Sequence, residues 1–136
     1  MDQGFFAGDA ISRACVAALA LLLFGLSMAI TSVRLRTKVL VGAPADPASL
    51  LTKLVRTQGN TAEYAAILAL LMLAQGAGPK PGWVTALMLL AVGARVLFAI
   101  GMLTCESLAK PNIVRGLGAG GTYVAGIGLA LALLRV

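Results

Sequence analysis

The chain has 136 residues, 60% of them hydrophobic and 12% charged, with a mean hydropathy of +0.95. Small globules bury only about 60 to 70% of the surface of their unfolded chains, so a soluble domain of this size is excluded, and the 16 Gly and 5 Pro scattered among Leu and Ala runs define a polytopic α-helical membrane protein. The net charge of +6 does not point to nucleic acid, because the basic residues gather at the ends of apolar segments, where they set membrane orientation.

The expected fold is all-α, a bundle of four transmembrane helices in one domain covering residues 1–136. The first span covers about residues 10–35 and ends at Arg34 and Arg36. Its apolar run, Ala14 to Val33, is too long for a signal-peptide core and lacks a basic leader, so it reads as a retained helix. Asp46-Pro47 before Ser49 forms a turn into the second span, residues 50–76, which Gly76-Ala77-Gly78-Pro79 closes. The third span, residues 81–106, carries Arg95 near its middle. Pro111 and Asn112 start the fourth, residues 112–134. Cys15 and Cys105 fall toward opposite membrane faces, which argues against a disulfide, and Cys105 reads as a small packing residue. The sequence has no histidine and no metal-ligand spacing.

Charge in the connections sets the expected orientation. Arg34, Arg36, Lys38, Lys53 and Arg56 flank the first connection, and Lys110 and Arg115 the third. Arg13, Lys80 and Arg135, beside Asp2 and Asp9, belong to the other side. The positive-inside rule places the two basic connections in the cytoplasm and both termini outside, in an inner (plasma) membrane.

The second span opens on four polar or aromatic groups. Arg56, Asn60, Glu63 and Tyr64 are spaced i, i+4, i+7 and i+8, one stripe of a helix. A charged side chain near the bilayer centre costs about 2.5 to 3.5 kcal/mol on insertion scales, so such groups face protein or a wet cavity. The guanidinium suits a carboxylate, the carboxylate an ammonium, and the amide and phenol add hydrogen bonds, a set that fits a small zwitterion. The structural alternative is that Arg56 snorkels, Asn60 and Glu63 bond neighbouring helices and Tyr64 packs. Arg95 needs a partner, and Glu63 is the carboxylate within the spans, so a Glu63–Arg95 structural ion pair is expected. Val33-Arg34-Leu35-Arg36-Thr37-Lys38 is either a lipid-headgroup cluster or a source of Arg34 for a cytoplasmic cavity. Gly116 and Gly120 form a GxxxG pair that predicts close helix packing, with Arg115 at the mouth of the fourth span.

These residues resemble a known family, the membrane-associated proteins in eicosanoid and glutathione metabolism (MAPEG), over nearly the whole chain. The stretch Arg56-Thr57-Gln58-Gly59-Asn60-Thr61-Ala62-Glu63-Tyr64 is similar to the family's second-helix signature. Val33-Arg34-Leu35-Arg36, Ala94-Arg95-Val96-Leu97 and Arg115 are similar to its first-, third- and fourth-helix basic positions. The resemblance implies a homotrimer, glutathione as co-substrate between subunits near the cytoplasmic side, and no metal. It gives Arg34, Arg56, Asn60, Glu63 and Tyr64 to glutathione, and gives Arg115 the role of stabilising the thiolate. The implied activity is transfer of glutathione to lipophilic electrophiles arriving from the bilayer, or a peroxidase reaction, in detoxification. Phe98 and Met102 depart from the family pattern, standing where relatives place hydrogen-bonding side chains. A non-catalytic membrane scaffold, or a subunit of a larger membrane complex, is therefore a second expectation. A four-helix drug exporter is disfavoured because the first span has no acid beyond Asp9 at its start.

Overall fold

A computed structural model describes residues 8–135. They form four helices, α1 (Ala10–Thr37), α2 (Leu50–Ala74), α3 (Gly82–Thr104) and α4 (Ile113–Leu133), and no strand occurs among the described residues. Each helix ends within about two residues of the span expected from hydropathy, the usual uncertainty of a helix boundary. Three helices, α1, α3 and α4, are long and apolar enough to cross a membrane. At 25 residues α2 is about 37 Å long, enough to span, but Lys53, Arg56 and Glu63 make its first half polar.

Short polar side chains start three of the helices. Asp9, Ser49 and Asn112 accept the backbone N–H of Ser12 (2.7 Å), Thr52 (3.2 Å) and Arg115 (2.9 Å), each satisfying a donor the helix leaves orphaned. Pro81, with its fixed φ, precedes α3. Lys38 ends α1 in the left-handed conformation at φ 57°. The α1–α2 and α3–α4 connections lie at one end of the bundle, joined by a hydrogen bond from Leu108 N to Pro47 O at 3.1 Å.

The bundle divides along its length. The half away from the basic connections holds the apolar core, with Leu19 of α1, Leu68 and Met72 of α2, Met88 of α3 and Leu129 of α4. The basic half buries Thr57, Thr61 and Arg95. An outward row on α1, including Leu21, Phe24, Met28 and Leu35, is exposed as a lipid-facing surface requires.

Helix association in lipid relies on close packing rather than on the hydrophobic effect, and α3 and α4 are the closest pair. Glycine permits this, at positions other than those expected. A Cβ on Gly118 would collide with the backbone of Phe98, and one on Gly101 with the backbone of Arg115. A Cβ on Gly121 would meet Ala94 Cβ at 2.9 Å. Gly116 and Gly120, the GxxxG pair, meet nothing within 4 Å. Two residues correspond to about 200° around a helix, so Gly116 and Gly120 point away from α3 when Gly118 faces it.

The non-basic end is clamped by Lys80. Its ammonium reaches Asp9 Oδ2 (2.9 Å), Gly76 O (2.5 Å) and Gly78 O (3.3 Å), which satisfies its three donors. The Ser12 N–H, and then the Lys80 ammonium, hold the Asp9 carboxyl down at about 2, below the 3.8 of a free aspartate. A lowered carboxylate pKa stabilises the fold above the unfolded value, and that stabilisation is lost as pH falls toward 2. Asp9→Ala is expected to cost about 1 to 2 kcal/mol through the lost cap. Thermal unfolding in detergent should show the gap between wild type and variant at neutral pH, narrowing between pH 4 and 2. A gap that does not change with pH would show that the carboxylate charge is not what stabilises.

Candidate functional site

The polar half of α2 presents two faces. Thr57 and Thr61 are fully buried. Arg56, Asn60 and Glu63 lie on the adjoining flank and line one groove of about 500 Å³ with Val55, Gly59, Phe98 and Met102. Three members of the expected stripe are thus brought together, and the fourth is not. Tyr64 lies about 100° further round the helix than Glu63. It lines a separate apolar groove between α2 and α4, where its ring centroid is 5.9 Å from that of Tyr123.

The expected Glu63–Arg95 ion pair does not form within the chain. Arg95 is 1% exposed, and its Nη2 donates to Asn60 Oδ1 (2.9 Å) and Thr61 Oγ1 (3.0 Å). Its guanidinium carbon lies 4.6 Å from the Phe98 ring centroid and 5.3 Å from that of Tyr64, and Nε has no partner. The reason is rotational. Thr61 and Glu63 are about 200° apart around α2, so the face that buries Thr61 against Arg95 turns Glu63 outward. Neutral acceptors and two aromatic faces hold the cation instead.

A larger cavity, about 760 Å³, opens at the basic end beside this groove. Arg34 of α1, Arg56 of α2, Met102 of α3 and Arg115 of α4 line it, together with the loop that includes Ala43, Pro44 and Ala45. Val55, Arg56 and Met102 line both spaces, which therefore adjoin. Loop carbonyls position two of the guanidiniums. Arg34 Nη1 donates to Val39 O at 3.1 Å, while Arg115 Nη1 and Nη2 donate to Leu108 O at 3.3 Å and Lys110 O at 3.2 Å. Arg115 stands in the first turn of α4. A cation there opposes the helix dipole, a local cost that an anion in the cavity would relieve.

Lys53 is not the loop charge that its position in sequence suggests. It is buried, and its ammonium donates to Cys105 O (2.5 Å) at the end of α3, where a cation complements the helix dipole. Sequence reasoning also missed Thr61 and Phe98 as partners of Arg95. The signals were present: Thr57 and Thr61 form an i, i+4 polar pair on a face other than that of Arg56, and Phe98 follows Arg95 by three residues, one turn along the same face.

Apolar helices of spanning length, with cationic and carboxylate groups gathered at one end, define an α-helical integral membrane protein with a polar site set against its spans. The chain belongs to the MAPEG family, whose family model matches residues 12–135. It is thus a membrane protein of the family associated with glutathione and eicosanoid metabolism. Comparison with curated proteins and with solved structures gives no match.

Proposed function

We propose that this protein is a membrane-bound glutathione transferase that activates the glutathione thiol for attack on lipophilic electrophiles, with peroxidase chemistry as a related activity. The observation that carries the reading is the convergence of Arg34, Arg56 and Arg115, from three helices, on one cavity beside a groove containing Glu63. Glutathione has two carboxylates, one ammonium and one thiol, and this set of side chains can match each of them. Arg34 and Arg56 take the carboxylates, by charge-assisted and bidentate hydrogen bonds. Glu63 takes the ammonium, with Asn60 beside it. Arg115 faces the sulfur.

A free thiol titrates near 8.5, and a neighbouring guanidinium lowers that value and so raises the thiolate fraction at neutral pH. No general base is then required, consistent with a sequence that has no histidine. The thiolate attacks an electrophilic carbon, forming the C–S bond while the leaving group departs with its electron pair. An apolar electrophile reaches the site from the bilayer. Assembly as a homotrimer would close grooves that the single chain leaves open, and the basic end would face the cytoplasm.

Calorimetry of the detergent-purified protein tests this reading. Glutathione should bind wild type and bind Glu63→Gln about tenfold to hundredfold more weakly, the worth of a hydrogen bond to a charged group. A non-catalytic scaffold, or a subunit of a larger complex, is the second reading, favoured by the apolar Phe98 and Met102 in the groove wall. Intact wild type that binds no glutathione would sink the transferase reading and leave this one.

A further inference from the structure

Arg95 stands behind the groove rather than in it: Asn60, Glu63 and Arg56 line the groove, and Arg95 touches the inner side of Asn60. A guanidinium carries only donors. The amide of Asn60 must therefore turn its oxygen inward to Arg95, because the opposite rotamer would set NH₂ against N–H. With the oxygen committed inward, the amide NH₂ is what Asn60 presents to the groove. The arrangement is held tightly. The same Nη2 is shared with Thr61, which is fully buried, and the rings of Phe98 and Tyr64 flank the guanidinium.

We propose that Arg95 is a positioning residue that fixes Asn60 as a hydrogen-bond donor, so that the groove selects a carboxylate immediately beside the ammonium bound by Glu63. Asn60 and Glu63 are three residues apart on one helix, with Cβ atoms about 5 to 6 Å apart. That spacing suits a carboxylate and an ammonium on one carbon, the α-amino-acid end of a γ-glutamyl peptide. The inference rests on the glutathione reading, and what it adds is the part of Arg95, which sets the donor orientation of Asn60 from behind the groove. It also gives Phe98 a use: a ring against Arg95 in place of a hydrogen bond to the ligand.

The test has two arms, both on the intact protein in detergent. The first is thermal unfolding without ligand. Asn60→Asp keeps an inward oxygen for Arg95 and adds a charge, so its melting temperature should equal or exceed that of wild type, while Asn60→Leu should melt lower. An Asn60→Asp variant as unstable as Asn60→Leu would overturn the inward oxygen, and the proposal with it. The second arm is calorimetry with glutathione and with 4-aminobutyryl-cysteinylglycine, which lacks the α-carboxylate. Wild type should prefer glutathione by about tenfold or more. Arg95→Lys, again a pure donor, should retain the preference. Arg95→Gln, which leaves the Asn60 amide free to turn, should lose it, and so should Asn60→Asp, which presents an acceptor to the carboxylate. A purely structural role for Arg95 would weaken both peptides equally and leave their ratio unchanged, and that result overturns the proposal. If Arg95→Gln does not fold, Asn60→Asp carries this arm. If wild type binds neither peptide, the glutathione reading falls, and the unfolding arm decides the orientation of Asn60 by itself.

Discussion

Gly118→Ala is expected to destabilise the fold strongly, whereas Gly116→Ala and Gly120→Ala leave it intact. A Cβ on Gly118 would collide with the backbone of Phe98, and would come within 2.8 Å of Ala94 O. A flexible side chain could give way, but a helix backbone moves only if the whole of α3 shifts. Overpacking costs typically 1 to 3 kcal/mol and at times more, and with backbone as the obstacle we place Gly118→Ala at about 3 kcal/mol or above. That is a large share of the roughly 5 to 15 kcal/mol that holds a domain together. The displaced residue is also one whose ring covers Arg95, so a surviving fraction should lose ligand affinity. At Gly116 and Gly120 the added methyl meets nothing within 4 Å, and alanine is about 1 kcal/mol better than glycine in a helix interior. Thermal unfolding and size-exclusion profiles of the three variants would check this. Gly118→Ala with a wild-type melting curve would show that the α3–α4 interface is looser than the structure has it.

The glycine contrast illustrates what the sequence could and could not convey. Four helices were legible because lipid imposes a length and a composition on each span, and Asp9, Ser49 and Asn112 mark three of the helix starts. Rotation of the helices about their axes was much less legible. The GxxxG spacing is satisfied by Gly116 and Gly120, yet Gly118 and Gly121 also sit on α4, and nothing local says which set faces α3. Pairing Glu63 with Arg95 by charge alone failed for the same reason. Elimination identified the available carboxylate but not the face it occupies, and Thr61 rather than Glu63 is on the inner one. Of the four-residue stripe, Arg56, Asn60 and Glu63 share one groove, since they stay within about 60° around one helix, whereas Tyr64 falls beyond its edge and lines another. Gathering Arg34 and Arg115 onto the cavity of Arg56 required knowing how three helices meet, which spacing within one helix cannot supply.

Arg115→Leu is expected to lower turnover at neutral pH by about eightfold to twenty-fivefold while changing glutathione affinity little, the change in thiolate fraction when a thiol pKa near 8.5 is lowered by about one to two units. The proposed binding groups, Arg34, Arg56, Asn60 and Glu63, remain. What is lost is the guanidinium that Leu108 O and Lys110 O hold at the cavity wall. The thiolate is the nucleophile, so the rate follows its fraction. In wild type that fraction should reach one half at a pH below the free-thiol value. In the variant it is only half complete at about 8.5 and rises beyond it, so the defect should be greatest at low pH and shrink as pH rises. Arg115→Lys restores a positive charge and should recover part of the rate, though not the forked geometry. Ultraviolet absorbance of bound thiolate, titrated against pH in both proteins, reads the same quantity without needing the electrophile. A rate defect of equal size at every pH would assign Arg115 to holding the peptide or the electrophile. An unshifted thiolate titration alongside full activity would remove it from the chemistry altogether and return attention to Arg34 and Arg56, the other two cations on that cavity.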